Sequence, residues 1–451
     1  MKINGKEIKI KRENAHVSEV DEAYCNLVKK ILEEGLRTHN RTGIDTLSIA
    51  NWNYIFNLNN GFPIVETKDV KAKNFSSEIQ WIHQVQSNRI QWLRDRDNPV
   101  WNLWEIDEDG IYRNYEQGDN AINDPERMVP LTKKVRNPKT GVIENVPIYD
   151  GCNKPIMIKS KDVMDGKDNP RTIHEAVWFG KEYAGTDGEA YGFINGKYLM
   201  TQRLEDTLKK NPTDRRMNIN LWQEAHLEKA VLPSCVYLSE YKVTPDRKLH
   251  SHINHRSADV PLGLPFNIAQ YALLLSMFAK TSGLEVGTMS WHITDAHIYV
   301  NQLEGIKRQL KRYNYMKEYS DIIQSSSDEE LEILYNKMND LYDKMHLRSK
   351  ILLKDDIEKL KMSKRYKELR KIDKTLAQDY EEAYERKICF EHMLTRETPE
   401  LELASHDSIF EYSTDYVRKN DPYLKENPIG NRELVLKKYH PTPFISMPIA
   451  Q

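Results

Sequence analysis

The segment from Pro265 to Ser282, PFNIAQYALLLSMFAKTS, constrains the fold more than any other. It reads as a helix that is apolar on nearly every side, so the rest of the chain has to enclose it. Neither this segment nor any other window is long and apolar enough to span a bilayer, which excludes a membrane-spanning role. A helix enclosed in this way needs a substantial core around it. The chain has 451 residues, of which 39% are hydrophobic, and that suffices for one large domain.

The neighbouring patterns supply its partners. Asp21 to Glu34 has Ala23, Leu27 and Ile31 at helical spacing. Thr46 to Phe56 and Cys235 to Val243 read as strands, and Asn74 to Gln86 as a helix. Two stretches break this texture. Residues 108–189 are rich in Gly, Asn, Asp, Pro and Lys, with short apolar runs at Val142–Ile148 and Pro155–Ile158, and read as an irregular insertion with a few hairpins. Residues 312–394 are dominated by Lys, Glu and Asp. Leu334, Met338, Leu341 and Met345 recur there, as do Tyr366, Leu369, Ile372, Leu376 and Tyr380. This pattern predicts a helical hairpin or short coiled coil with one packed stripe and an otherwise solvated surface; a partner-binding role is the other reading. No internal repeat is present. The expectation is a single domain over 1–451, interrupted by these two insertions.

Charge and cysteine usage narrow the function. With 66 basic and 68 acidic residues the net charge is −2, without the basic excess that DNA or an anionic membrane surface would demand. Direct DNA binding is therefore not expected, although a local basic pocket for one phosphate is compatible with this balance. Cys25, Cys152, Cys235 and Cys389 are far apart, form no CxxC pair and sit in no Cys/His cluster at metal-ligand spacing. No metal is expected. A reducing compartment follows, and with a polar N-terminus that lacks a secretory apolar stretch, a cytoplasmic location.

Chemistry concentrates around two segments. In Leu232-Pro-Ser-Cys-Val-Tyr237 a cysteine at the start of a strand follows a Pro-Ser turn, which can present its sulfur at the lip of a cavity. Thiolate is the reactive form and is favoured near arginines. A lone cysteine is more often a small buried hydrophobe. The second segment, His255-Arg-Ser-Ala-Asp259, leads into Pro261-Leu-Gly-Leu-Pro-Phe-Asn-Ile-Ala269. So many polar groups at the entrance to a buried helix point to a ligand. Arginine with serine suits a phosphate, and an asparagine amide, both donor and acceptor, suits a pyrimidine edge.

These residues resemble the signature of the thymidylate synthase family. Cys235 stands in LPSC, Arg256 to Asp259 in RSAD, and both precede LGLPFNIAQYALL. Their companions occur in the same order: Arg41 in NRTGIDTLSI, then GFPIVETK; Glu78 in SSEIQW; Trp101 and Trp104 in VWNLW; Tyr191 in AYG; Arg215 and Arg216 in TDRR; His297 and Tyr299 in DAHIY; and a closing TPFISMPIA. The match covers three blocks, near 20–107, 190–310 and 395–451. It implies an α/β fold with a large mixed sheet and flanking helices.

The resemblance also implies roles. Arg41, Arg256 and Ser257 would hold the phosphate of dUMP, and Arg215 and Arg216 would reach it from the other subunit, making each site depend on a homodimer. His297 and Tyr299 would bond the sugar hydroxyl and Asn267 the pyrimidine edge. Cys235 would add to C6 of the ring and make C5 a carbon nucleophile. The one-carbon donor would be 5,10-methylenetetrahydrofolate, a cosubstrate, with Trp101 packed against it, Asp259 bonded to its pterin, and Gly263 and Ala450 lining the same site. Glu78 would organise proton transfers and Tyr191 assist removal of the C5 proton. The C-terminal tail would close over the site and exclude water.

Several positions depart from the family pattern. Val236 stands where most members have histidine, Glu240 where a strand glutamine is usual, Asn102 for aspartate and His255 for glutamine. With two large insertions, these departures favour a hydroxymethylating relative, in which water rather than hydride completes the reaction at C5, giving 5-hydroxymethyl-dUMP for modified phage DNA. An ordinary synthase, making dTMP and dihydrofolate, is the alternative. A dCMP hydroxymethylase would carry aspartate at Asn267. A non-catalytic scaffold or nucleic-acid regulator on the same fold is a reading of another class.

Overall fold

The computed structural model describes residues 2–3, 6–40, 42–115, 124, 126–159, 172–353 and 362–449. Arg41 and Ala450 lie outside the described residues. In chain order the elements are a short hairpin, β1 (Lys2–Ile3) and β2 (Lys6–Glu7), then α1 (Glu19–Glu34), β3 (Leu36–Thr38), β4 (Thr46–Asn57), α2 (Ala72–Gln80) and α3 (Ile90–Arg94). Five strands follow: β5 (Ile111–Tyr115), β6 (Met128–Arg136), β7 (Ile143–Pro147), β8 (Met157–Lys159) and β9 (Ile173–Trp178). The second half holds α4 (Tyr191–Lys197), α5 (Met200–Lys210), β10 (Asn218–Asn220), β11 (Val236–Val243), β12 (Lys248–Asp259), α6 (Gly263–Thr281) and β13 (Glu285–Tyr299). Four helices come next: α7 (Leu303–Ser325), α8 (Asp328–Leu353), α9 (Met362–Ile372) and α10 (Lys374–Thr395). The chain closes with β14 (Glu400–Leu403), α11 (Tyr423–Glu426) and β15 (Leu434–Lys437).

Helix α6 is the enclosed element that the sequence demands. Leu264, Ala269, Ala272, Leu273, Leu275 and Phe278 have no exposed surface. It packs on a six-stranded sheet ordered β10-β11-β12-β13-β4-β3. Strands β12 and β13 pair in parallel and the other neighbours antiparallel, so the sheet is mixed. Along β12, Leu249, Ser251, Ile253 and His255 are buried, whereas His250, His252 and Asn254 fall on the half-exposed alternate face. This period of two is why the segment forms a strand with one covered side. Helix α1 starts at Ser18, whose hydroxyl accepts the Asp21 N–H over 3.0 Å, an ordinary N-cap.

Two expectations are refined. The stretch over 108–189 contains an antiparallel hairpin of β6 and β7, as its turns suggest, but it is more ordered than an irregular insertion. Strands β5, β9, β6 and β7 form a sheet in that order, with β8 on β6 and a parallel β6–β9 pairing. Ile111, Val129, Leu131, Ile173 and Ala176 give it a small core of its own, and two strands 40 residues apart in sequence cannot be paired by reading local turns. In the helical stretch Leu334, Met338, Met345, Tyr366, Leu369, Leu376 and Tyr380 are packed as the pattern predicts, and two positions depart from it. Leu331 and Tyr335 are buried, while Leu341 is 46% exposed and Ile372, at the break before α10, is 58% exposed. Asp373 ends the run by capping α10 through the Leu376 N–H at 2.9 Å. The helices do return on themselves, α10 packing against both α7 and α8.

Candidate active site

Cys235 sits in the turn before β11, just outside the ladder, because the strand begins one residue later at Val236 than its pattern suggests. Its sulfur is partly open to solvent. Arg256, on the adjacent β12, holds this turn. Its backbone N–H donates to the Cys235 carbonyl over 2.9 Å. Its guanidinium donates to Pro233 O at 2.7 Å and Ser234 O at 3.0 Å, and Nη2 lies 3.6 Å from Cys235 Sγ. The Trp222 ring faces the guanidinium at 5.5 Å.

Tyr191 meets the same turn from α4. Its hydroxyl accepts the Cys235 N–H over 3.0 Å. Burial pushes the phenol well above its ordinary range, with the nearby Cys235 adding to the effect, so it stays protonated. The Tyr191 backbone has φ of 38°, a left-handed conformation that costs a non-glycine residue about 1–3 kcal/mol. Gly192 follows because any Cβ there would fall 2.2 Å from Ser87 O.

From Tyr191 a chain of contacts runs inward. The Trp101 ring lies 5.1 Å away, edge-on. Its indole N–H donates to Glu78 Oε1 over 2.8 Å. The other oxygen of Glu78 accepts Gln270 Nε2 over 2.7 Å, and Gln270 Oε1 accepts Asn267 Nδ2 over 3.0 Å. Desolvation raises the Glu78 carboxyl to about 7, against the lowering effect of Trp101 and Gln270. Glu78 keeps an open edge and Asn267 is half-buried, so both remain reachable.

The far wall is built by the ends of β12 and β13, which bring Asp259 opposite His297. Asp295 Oδ2 accepts the Ser257 hydroxyl at 2.9 Å and lies 3.1 Å from His297 Nδ1. The Tyr299 ring is 5.0 Å from that of His297. Asp259 Oδ1 takes the Leu262 N–H at 3.1 Å and Oδ2 the Gln302 amide at 3.0 Å, and burial raises its carboxyl. Gln302 also donates to Pro448 O over 3.0 Å, tying the C-terminal tail to this wall. Gly263 opens α6; a Cβ there would make only ordinary contact with Asn267 Oδ1 at 3.5 Å.

The structure thus gathers Cys235, Arg256, Tyr191, Trp101, Glu78 and Asn267 into one connected cluster. It does not bring Arg215 and Arg216 into it. Both stand on an exposed turn after α5, where Arg216 folds back onto Asp214 at 2.7 and 3.0 Å. Ser257 is engaged by Asp295. Of the departing positions, Val236 is buried opposite His255. Burial drives the imidazole of His255 down to about 3, so it is neutral. Asn102 accepts from Arg94 Nε at 3.3 Å. Glu240 lies on the exposed sheet face. Gln270, Asp295 and Gln302 were not singled out from sequence. The signal for Gln270 was a polar residue one turn from Asn267 in an otherwise apolar helix.

Comparison with known proteins identifies the family. The family model described as "Thymidylate synthase" matches residues 22–343. The thymidylate synthase of Clostridium beijerinckii is 31% identical over 294 residues, 65% of this chain and 82% of that protein. The thymidylate synthase of Listeria monocytogenes serotype 4a is 31% identical over 295 residues, 64% of this chain and 86% of that protein. Among solved structures, the thermostable thymidylate synthase A from Bacillus subtilis matches with a TM-score of 0.45 and 24% identity, over 65% of this chain and 84% of that one.

Proposed function

Because the chain belongs to the thymidylate synthase family, we propose that it transfers a one-carbon unit to C5 of dUMP and that water completes the reaction, giving 5-hydroxymethyl-dUMP. The observation that carries the reading is the placing of Cys235 between the Arg256 guanidinium, 3.6 Å from the sulfur, and the Tyr191 hydroxyl, 3.0 Å from its backbone nitrogen. Cys235 adds to C6 of the pyrimidine, with the Arg256 guanidinium lying beside its sulfur. Uracil C5 is a poor nucleophile until that addition is made. The neutral phenol of Tyr191 lies beside the reacting ring and helps to remove the C5 proton. Glu78, poised near neutrality, passes protons through the hydrogen bonds it shares with Trp101 and Gln270. Asn267 reads the base edge. His297 and Tyr299 hold the sugar, and Arg41, Arg256 and Ser257 the phosphate. Arg215 and Arg216, on an exposed turn, complete the phosphate site of a second copy.

The cosubstrate 5,10-methylenetetrahydrofolate supplies the one-carbon unit. Trp101 and Asp259 fit such a flat, hydrogen-bonding molecule. Trp101 lies next to Glu78, and Asp259 sits under the tail held by Gln302. Gly263 lies on the same side, Ala450 is assigned to the folate by the family resemblance alone, and the tail that Gln302 holds at Pro448 excludes water. Among the described residues no helix is long and apolar enough to cross a membrane. The four cysteines are unpaired, which accords with a reducing cytoplasm, that of the host if the protein is phage-encoded.

The ordinary synthase reaction is the second reading, favoured by the names of the relatives. The departures at Val236, His255, Asn102 and Glu240 favour the hydroxymethyl product. Incubating the protein with dUMP and methylenetetrahydrofolate and weighing the nucleotide separates them. A gain of CH2 means dTMP; a gain of CH2 plus oxygen means the hydroxymethyl product. A scaffold would form no covalent complex with 5-fluoro-dUMP and the folate.

A further inference from the structure

We propose that Gln270 is a positioning residue that fixes the orientation of the Asn267 amide and thereby makes the site accept a uracil edge and reject a cytosine edge. The inference rests on the reading of Asn267 as the group that meets the base. Gln270 is 2% exposed on α6, one turn beyond Asn267.

An amide can in principle point either way, and only its neighbours decide which. Here they form a directed chain. An indole N–H can only donate, so Trp101 fixes Glu78 Oε1 as an acceptor. When Glu78 is ionised its other oxygen also accepts, and Gln270 then has to present its NH2 to Glu78, at 2.7 Å. Its oxygen then faces Asn267, which has to present its own NH2, at 3.0 Å. What Asn267 has left is its carbonyl oxygen and one N–H. Uracil offers a donor at N3 and an acceptor at O4, which match that pair. Cytosine offers an acceptor at N3 and a donor at N4, which require the amide reversed. Reversal would set Asn267 Oδ1 against Gln270 Oε1, two acceptors at hydrogen-bonding distance in a buried place. Gln270 cannot turn to relieve it without setting its own oxygen against the Glu78 carboxylate. The titratable groups facing Glu78 are the Tyr191 and Tyr271 phenols, both held protonated by burial, so neither supplies a competing charge.

The test compares kcat/KM for dUMP and dCMP in the full-length protein and in Gln270→Met and Gln270→Glu. Methionine keeps the volume and removes both hydrogen bonds. It is expected to reduce the dUMP-to-dCMP ratio at least about tenfold, through KM rather than kcat, and to move the Glu78 limb of the pH profile upward. Glutamate keeps an acceptor facing the Asn267 amide whether or not it carries a proton and, when ionised, loses only the bond to Glu78, so Gln270→Glu is expected to keep the dUMP preference across the pH profile. A wild-type ratio in Gln270→Met, equal losses on both nucleotides, or loss of the dUMP preference in Gln270→Glu would each overturn the inference. Covalent capture of 5-fluoro-dUMP by the unmodified protein is the control. Without that adduct the reading of the site itself fails; with it, an unchanged ratio counts against Gln270 alone.

Discussion

The Trp101 indole donates its only hydrogen bond to Glu78 Oε1, over 2.8 Å. One side chain therefore both offers an aromatic surface to the site and fixes the carboxyl beside it. Burial raises that carboxyl to about 7, and two consequences follow for Glu78→Gln. Activity is expected to fall by about 10²–10⁴-fold, the usual worth of a positioned acid–base group, with loss of the limb near pH 7. Stability changes with the opposite emphasis. Between the unfolded value of 4.5 and about 7 the folded protein holds a proton that the unfolded chain has released, so this group's contribution declines as pH rises through that window. Urea midpoints at pH 5 and pH 7 should differ less in Glu78→Gln than in the parent; an equal difference would mean that Glu78 titrates elsewhere.

Cys235→Ala is expected to abolish turnover while leaving dUMP binding measurable by calorimetry, because Arg256 anchors to backbone carbonyls of the turn as well as lying near the sulfur. Any retained turnover would remove Cys235 from the mechanism.

Arg216 extends into solvent, with its side chain 87% exposed. Cys235→Ala and Arg216→Ala should each be inactive alone and should regain up to about a quarter of the parent activity when mixed and allowed to exchange subunits, since one site of each mixed dimer is intact. No recovery on mixing would locate Arg216 in its own chain's site or outside the chemistry altogether.

Arg312 is 1% exposed and pairs with Glu385 of α10, which is fully buried. The same guanidinium donates to Thr67 O at 3.2 Å, Thr442 Oγ1 at 3.1 Å and the Pro443 carbonyl. Glu385→Ala leaves a buried cation without its counter-charge, which costs about 3–5 kcal/mol. It is expected to lower the melting temperature and, because Arg312 also holds the root of the tail, to raise KM for the folate more than KM for dUMP. Equal changes in both constants would separate the tail from Arg312.

Much of this was legible before any coordinates. The α6 segment announced its burial through unbroken apolarity, and β12 through its alternation up to Asp259. The order LPSC, RSAD, NIAQ marked segments that the fold does bring together around Cys235, Arg256 and Asn267. Three things were hidden. Pairing of β6 with β9 joins strands distant in sequence, and local turn composition says nothing about it. The stripe of α8 breaks at Leu341, since a helix flanked on two sides by α10 and α9 buries a different arc from the one a single heptad register allows for. Asp295 and Gln302 read as ordinary polar residues, because their partners Ser257, Asp259 and Pro448 come from other segments.

Helix α10 carries a consequence for anyone cutting the molecule down. Glu385 engages Arg308 and Arg312, His392 lies 3.0 Å from the carbonyl of His440, and Arg396, just past the helix, bonds Glu66 and the carbonyl of Asn14. A minimal version that excised 312–394 as ornament would remove Arg312, Glu385 and His392 together, so a working miniature has to graft a counter-ion for Arg308 and a new donor to Thr67, Thr442 and Pro443 in the same step.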